Sequence, residues 1–331
     1  MKQINFESEI KVAQKKPFKE KFLDTFSPKR VAYRIKHYDY KSWAHKNLTW
    51  NGLGRFAWIV LRTVLLVGIA FMILYPFAVK LVVSFMSLND ISDSTVMFIP
   101  REGSTYFIQR AMYGLNFWPA LGKTALISLL VAIFQLFISC VVGYGFARFK
   151  FWGKNLLFFI VLLTLIVPAQ TILIPLYFRF NAIGLLNTMW PVVILSACGI
   201  GLKNGLYIYL MRQFFRGMPK ELEQSAYIDG AGPLRAFLYI ILPNAFNMMI
   251  TVFLFSFTWQ WTDTTYNKML MPNFGVLTNT ILKVSSGVED TLQVQAINDT
   301  STLLLILPLL IVFLFAQRYF IQSIERSGLV E

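Results

Sequence analysis

PKELEQSAYIDGAGPLRAFLYIILP, residues 219–243, stands between two long apolar runs. Its charges exclude it from a hydrocarbon core, where each ionised group is costly. Yet it is patterned like a folded element. Pro219 suits a first helical position, and Glu221 and Glu223 fall in the first turn, where the helix dipole favours anions. Gly230 and Gly232 allow backbone angles that strain other residues, and Pro233 can open a second helix. In that helix Leu234, Phe237, Leu238 and Ile241 recur at i, i+3, i+4 and i+7, which predicts one apolar stripe. The segment reads as two short helices joined by a turn, outside the bilayer but tied to spans on both sides.

The rest of the chain supplies those spans. It has 331 residues, 56% of them hydrophobic, with a mean hydropathy of +0.55. That is too apolar for a soluble domain and predicts an all-α integral membrane protein. Six runs reach the ~20 residues that cross a bilayer: 56–86, 119–146, 156–178, 188–215, 244–269 and 300–321. A β-barrel would show shorter, alternating segments. The opening 50 residues are polar and basic, so no cleavable signal peptide is expected. The net charge of +14 could point to nucleic acid, but in a membrane protein it reflects cytoplasmic Lys and Arg. Lys29, Arg30, Arg34, Lys36, Lys41, Lys46 and Arg55 precede the first span. Arg148, Lys150 and Lys154 link the second to the third. Arg216, Lys220 and Arg235 lie in the 216–242 loop, and Arg318 and Arg326 mark the tail. With six spans all of these fall on one side, so both termini and the loop are expected in the cytoplasm.

The expected organisation is therefore a basic cytoplasmic extension over 1–55, a first span, and an extracytoplasmic loop over 87–118. A five-helix core over 119–322 and a cytoplasmic tail over 323–331 follow. The extension, with Tyr33, Tyr38, Tyr40, Trp43 and Trp50, suits a tail resting on anionic headgroups. Asp90 and Asp93, just outside the first span, read as solvated loop acids. Cys140 and Cys198 sit in apolar runs and read as small buried hydrophobes.

Enzyme signatures are missing from the sequence. The two histidines, His37 and His45, lie in the basic extension. No zinc-binding or haem-binding spacing occurs, so neither catalytic residues nor a metal site is expected. There is no Gly-x-x-x-x-Gly-Lys-Ser/Thr loop, so this chain is not expected to bind ATP, and no cofactor is expected in it. Polar groups within the spans mark the candidate substrate path. Lys203 and Asn204 follow Gly199 and Gly201 in the fourth span, where a lysine either faces water or snorkels to the headgroups. Trp259, Gln260, Trp261 and Asp263 lie in the fifth. Indole faces can stack on a solute's C–H groups, and amides and carboxylates can accept its hydroxyls. Residues two apart on a helix point in different directions, so one tryptophan is expected in an interfacial belt and the other in the lumen.

Residues 219–243 resemble the coupling loop, the Glu-Ala-Ala loop, of permease subunits in bacterial ABC importers. Gln224, Ser225 and Ala226 stand at the triplet, with Gln224 in place of the usual acid. Gly230 holds the glycine position, and Ile240 and Pro243 close the pattern. The Asp229-Gly230-Ala231 variant is similar to the carbohydrate, maltose-permease-like branch. Gly143-Tyr144-Gly145-Phe146-Ala147-Arg148-Phe149, Pro168-Ala169-Gln170 and Ile174-Pro175-Leu176-Tyr177 match the same branch, so the resemblance runs from about 117 to the C-terminus.

The resemblance implies a type I ABC importer permease fold in the bacterial plasma membrane, paired with a second homologous permease. Two ATPase subunits would bind inside, and an extracellular binding protein would deliver a mono- or oligosaccharide. The 272–299 loop would probe that binding protein. Small residues Ser225, Ala226, Gly230 and Ala231 would let the ATPase approach, and Glu221, Glu223 and Asp229 would sit at the rim or cap amides. A helix pair fixed to spans four and five would act as the lever. Other readings are an importer permease for a polyol, glycerophosphodiester or peptide, a membrane-embedded transferase, or an ion channel.

Overall fold

The computed structural model describes residues 50–328 except Ala169, with side chains for 54–318. The basic extension before Trp50, His37 and His45 and the side chain of Arg326 lie outside the described residues. All regular structure within them is helical. In chain order the helices are α1 (Trp50–Ser84), α2 (Leu88–Ser92), α3 (Tyr106–Leu115), α4 (Phe117–Arg148), α5 (Lys154–Ile166), α6 (Gln170–Ala182), α7 (Trp190–Ala197), α8 (Asn204–Gly217), α9 (Glu221–Ile228) and α10 (Pro233–Ala236). A π turn (Phe237–Ile241) and α11 (Leu242–Asn244) lead into α12 (Phe246–Thr262). Then come α13 (Thr265–Leu270), α14 (Leu277–Thr280), a 3-10 turn (Ile281–Lys283) and α15 (Thr291–Gly328).

Unbroken helices long and apolar enough to cross a membrane cover Gly54–Ser84, Phe117–Arg148 and Thr291–Arg318. The other three expected spans are broken, which corrects their reading as continuous rods. α5 and α6 meet the length only as a bent pair. Pro168 follows the C-cap Val167; it has no N–H to give and its ring clashes with the preceding turn, which favours an end to α5 here. The expected 188–215 span is two helices, α7 and α8. Between them Gly199 and Lys203 take left-handed angles, φ +76° and +61°. In the 244–269 run α12 covers only Phe246–Thr262, bent by 77° from Pro233–Asn244 and ended at Asp263, after which α13 begins. There the carboxylate accepts the Asn267 N–H at 2.9 Å, a local bond that competes with helix propagation.

The chain divides into two units inside α1, Met1–Leu74 and Tyr75–Glu331. The described part of the first is the α1 segment 50–74, whose side chains are exposed from Gly54 onward. A long apolar helix with its side chains exposed suits lipid.

The second unit is built on α4, which packs against α7, α8, α12 and α14. Three apolar clusters follow one another along α4. Phe117, Ala120 and Ala132 join Phe257 and Trp261 of α12 and Ile297 and Leu305 of α15. Ile127 and Val131 meet Leu173, Phe180, Val192, Val193 and Leu270. Cys140 and Tyr144 meet Tyr207, Met211 and Phe215 of α8 with Phe237 and Ile241 of the π turn. Cys140 is buried as expected, whereas Cys198 is exposed, because the helix ends beneath it.

Asp90 is not the solvated acid its loop position predicts. It is buried and organises the segment after α1. Ser87 Oγ accepts the Asp90 N–H at 3.1 Å, and the Asp90 carboxylate accepts the N–H groups of Ser87, Arg101 and Glu102 at 3.3, 3.3 and 3.2 Å. Burial pushes its carboxyl up, but these amides outweigh burial and hold it below the ordinary aspartate range. A folded-state value below the ordinary one stabilises the charged form above the ordinary carboxylate range. That contribution is lost as pH falls through the lower folded value. Protease resistance of residues 87–105 is therefore expected to hold from neutral pH to about 5 and to fail below about 4. Asp90→Asn should open the same loop at neutral pH; equal resistance in the variant would refute this. Asp93 is half-buried and pairs with Arg101 at 2.9 Å.

Candidate functional site

Two places concentrate the predicted residues. The first is the elbow of α9, α10 and the π turn. α9 ends where Gly230 takes φ +79°, and the Gly230 and Ala231 N–H groups return to the carbonyls of Tyr227 and Ala226 at 3.1 and 2.9 Å. That is a left-handed C-terminal turn, which a side chain strains. Pro233 opens α10 at its first turn, as expected. The apolar stripe does not form as predicted. Phe237 and Ile241 are buried against Tyr144 and Phe215, while Leu234 and Leu238 are exposed. The chain widens into a π turn ahead of Pro243, whose missing N–H breaks the regular ladder.

Within α9 the side chains of Glu221, Gln224 and Ser225 are exposed, as is Asp229 just after it, but Glu223 and Ala226 are buried. The expected rim position of Glu223 and open position of Ala226 are thus corrected. Glu223 faces inward because a cation waits there. Arg148, in the last turn of α4, brings Nε to 2.8 Å from Glu223 Oε1. The contact is an ion pair and not an aligned hydrogen bond. Another Arg148 nitrogen donates to the Met218 carbonyl at 2.8 Å. The charges of Arg212 and Arg216 act on the Lys154 ammonium at the start of α5. Basic side chains from the α4–α5 link and the end of α8 therefore gather on the elbow's side of the protein.

The second place is the break between α7 and α8. Lys203 Nζ sits 5.1 Å from the centre of the Trp259 ring, a cation–π arrangement. Both line a cavity of about 330 Å³ with Asp263, Thr164, Gln170 and Thr262. An adjoining cavity of about 290 Å³ is lined by Asn204, Gly199, Gly201 and Lys203. Asn204 is buried, and neither amide atom has a partner within the described residues. Such a group is costly unless water or a ligand meets it.

Gln260 and Trp261 do not join this cavity. Gln260 is buried and donates to Asn267 at 3.2 Å. Trp261 lies in the core, its indole N–H donating to the Leu305 carbonyl at 3.0 Å. The expectation of a belt tryptophan is corrected for Trp261: α12 packs on α4 and α15, and that side of α12 is enclosed.

Sequence reasoning passed over Gln135. It is buried in α4, donates to the Leu202 carbonyl at 3.0 Å and accepts the Ser256 hydroxyl, so it braces the broken segment against α12. A lone amide inside an apolar span was the signal that could have found it.

The binding-protein-dependent transport system inner membrane component family matches residues 135–326, which contain both places. The chain belongs to that family. It is 28% identical over 269 residues to the arabinooligosaccharides transport system permease protein of Halalkalibacterium halodurans, covering 78% of this chain and 92% of that one. It is 30% identical over 208 residues to the maltodextrin transport system permease protein of Bacillus subtilis, covering 62% and 73%. The crystal structure of a bacterial ABC transporter involved in the import of the acidic polysaccharide alginate superposes with a TM-score of 0.69 at 20% identity, over 81% of this chain and 98% of that one. That likeness carries the fold, the type I importer permease. The chain is a multi-pass inner-membrane component of an ABC importer, a class whose members work with ATPase subunits and a solute-binding protein.

Proposed function

We propose that this permease forms half of the pathway for a mono- or oligosaccharide, paired with a second homologous permease. An extracellular binding protein delivers the sugar, and ATP with its Mg is bound and hydrolysed on separate subunits. Both termini and the 219–243 elbow face the cytoplasm, a reading supported by the basic side chains around the elbow. The observation that carries the sugar reading is the Trp259 face at the cavity beside Lys203 and Asp263. An indole face stacks on the C–H groups of a pyranose, and the ammonium and carboxylate satisfy its hydroxyls. The names of the relatives, arabinooligosaccharides and maltodextrin permeases, point the same way.

The test is to purify the chain with its neighbours and offer the binding protein arabino-oligosaccharides, maltodextrins and control peptides. ATP-driven uptake of a sugar and not of the peptides is expected. Uptake of the peptides alone would reject the sugar reading, and a chain that brings no ATPase with it would reject the whole.

Gly230 gives a second check on the elbow. No atom lies within 4 Å of an added Cβ there, so a side chain meets open space and only the left-handed angle resists it. For most L-residues that angle costs roughly 1–2 kcal/mol, while asparagine adopts it more readily. Gly230→Val is expected to cut uptake about tenfold with assembly retained, and Gly230→Asn to keep most of it. Equal uptake by the two would show that the turn's geometry is not required.

A further inference from the structure

α9 is eight residues long and buries just two side chains, Glu223 and Ala226. A methyl group and a carboxylate give such a helix little apolar hold. Its orientation depends on what meets the carboxylate, and that is the end of α4: Arg148, its last residue, pairs with Glu223, and Tyr144 faces Glu223 and Tyr227. The same guanidinium holds the Met218 carbonyl, where α8 ends. One cation thus gathers the end of α4, the exit of α8 and the inner face of α9. A buried ion pair adds little net stability over an apolar pair of equal size, so its distinctive contribution is to fix geometry. On the other side of the elbow the chain is less constrained. Pro243 and Asn244 are exposed, and α12 leaves at 77° from the helix before it.

We propose that Arg148 and Glu223 are positioning residues that fix α9 to the end of α4. Movement imposed on α9 then enters the bundle through the second span and not across the bend into α12. This rests on the elbow being the surface on which the ATPase acts. It differs from a lever anchored to the fourth and fifth spans alone. α4 carries all three apolar clusters and touches α7, α8, α12 and α14, so a displacement of its end is shared by the whole unit. Gln135 on the same helix holds the broken segment beside the cavity. The route from elbow to cavity is therefore one continuous helix.

The experiment uses the full complex in nanodiscs, with MgATP and vanadate as the only probes. Spin labels are placed at Lys150→Cys, just beyond α4, and Ile228→Cys, at the end of α9, with Cys140 and Cys198 replaced by serine. In the parent the label distance is expected to be the same without nucleotide and in the vanadate-trapped state. In Glu223→Gln, which keeps the shape and removes the charge, the complex is expected to assemble and hydrolyse ATP, but the distance should shift by several Å on trapping. A parent distance that moves with nucleotide, or a Glu223→Gln distance as constant as the parent's, overturns the proposal. If Glu223→Gln fails to assemble, Arg148→Lys, which keeps the charge and loses the forked geometry, is read in the same way. A parent complex that carries no ATPase defeats the proposed function itself, and this inference with it.

Discussion

Replacing Gly143 by valine is expected to separate α4 from α8 and to lose most of the folded protein. A Cβ at this position would lie 2.8 Å from the Met211 Cβ, 3.0 Å from the Arg212 nitrogen and 3.2 Å from the Met211 carbonyl carbon. Two of these are backbone atoms, so no rotamer change relieves the contact. α4 cannot retreat freely, because α12 packs on it as well. Overpacking of a tight core costs about 1–3 kcal/mol, and a β-branched side chain against a helix backbone belongs at the upper end. About 3 kcal/mol is roughly a hundredfold in the folded-to-unfolded ratio, a large share of a typical domain's stability of about 5–15 kcal/mol. The control lies two residues on. A Cβ at Gly145 meets nothing within 4 Å, so Gly145→Ala should be neutral or stabilise by up to about 0.5–1 kcal/mol through backbone entropy. Thermal melts of the two variants in nanodiscs make the comparison. Indistinguishable melts would show that α4 and α8 do not approach as described.

Trp261→Ala is expected to be equally damaging for the opposite reason, an unfilled space. The indole is buried, its ring centre 5.5 Å from that of Phe257, and its N–H is bonded to the Leu305 carbonyl. Truncating a buried aromatic costs about 3–5 kcal/mol. Little of that belongs to the hydrogen bond, since interhelical bonds in membranes average ~0.6 kcal/mol. Packing therefore dominates, and Trp261→Phe should recover most of the loss. Trp259, two residues earlier, is about half exposed at the cavity. Trp259→Ala should leave the melt within about 1 kcal/mol of the parent and lower uptake instead. A Trp259→Ala variant that melts like Trp261→Ala would refute the orientation of α12.

Much of this was legible in the chain. The apolar runs located the spans, because a bilayer demands about 20 apolar residues whatever surrounds them. The acids, glycines and prolines of 219–243 located the elbow, because α9 starts, the left-handed turn at Gly230 and the start of α10 at Pro233 follow local rules. Lys203 and Asn204 were legible as residues too polar for their surroundings, and they do line the cavities at the broken segment. The inward turn of Glu223 was not legible, since nothing in α9 announces Arg148 at the end of a distant helix. Nor were the breaks at Val167–Pro168 and 198–203 separable from kinks that a continuous helix tolerates.

The sequence by itself determined which segments are apolar enough to enter a membrane, where the elbow folds and which family the chain resembles, because length, hydropathy and turn chemistry act locally. Tertiary structure alone decided which of Gly143 and Gly145 meets a backbone, and which of Trp259 and Trp261 faces the cavity. A helix apolar on every side carries no stripe to orient it. Its rotation is set by the shapes of its neighbours, and those are written in other parts of the chain.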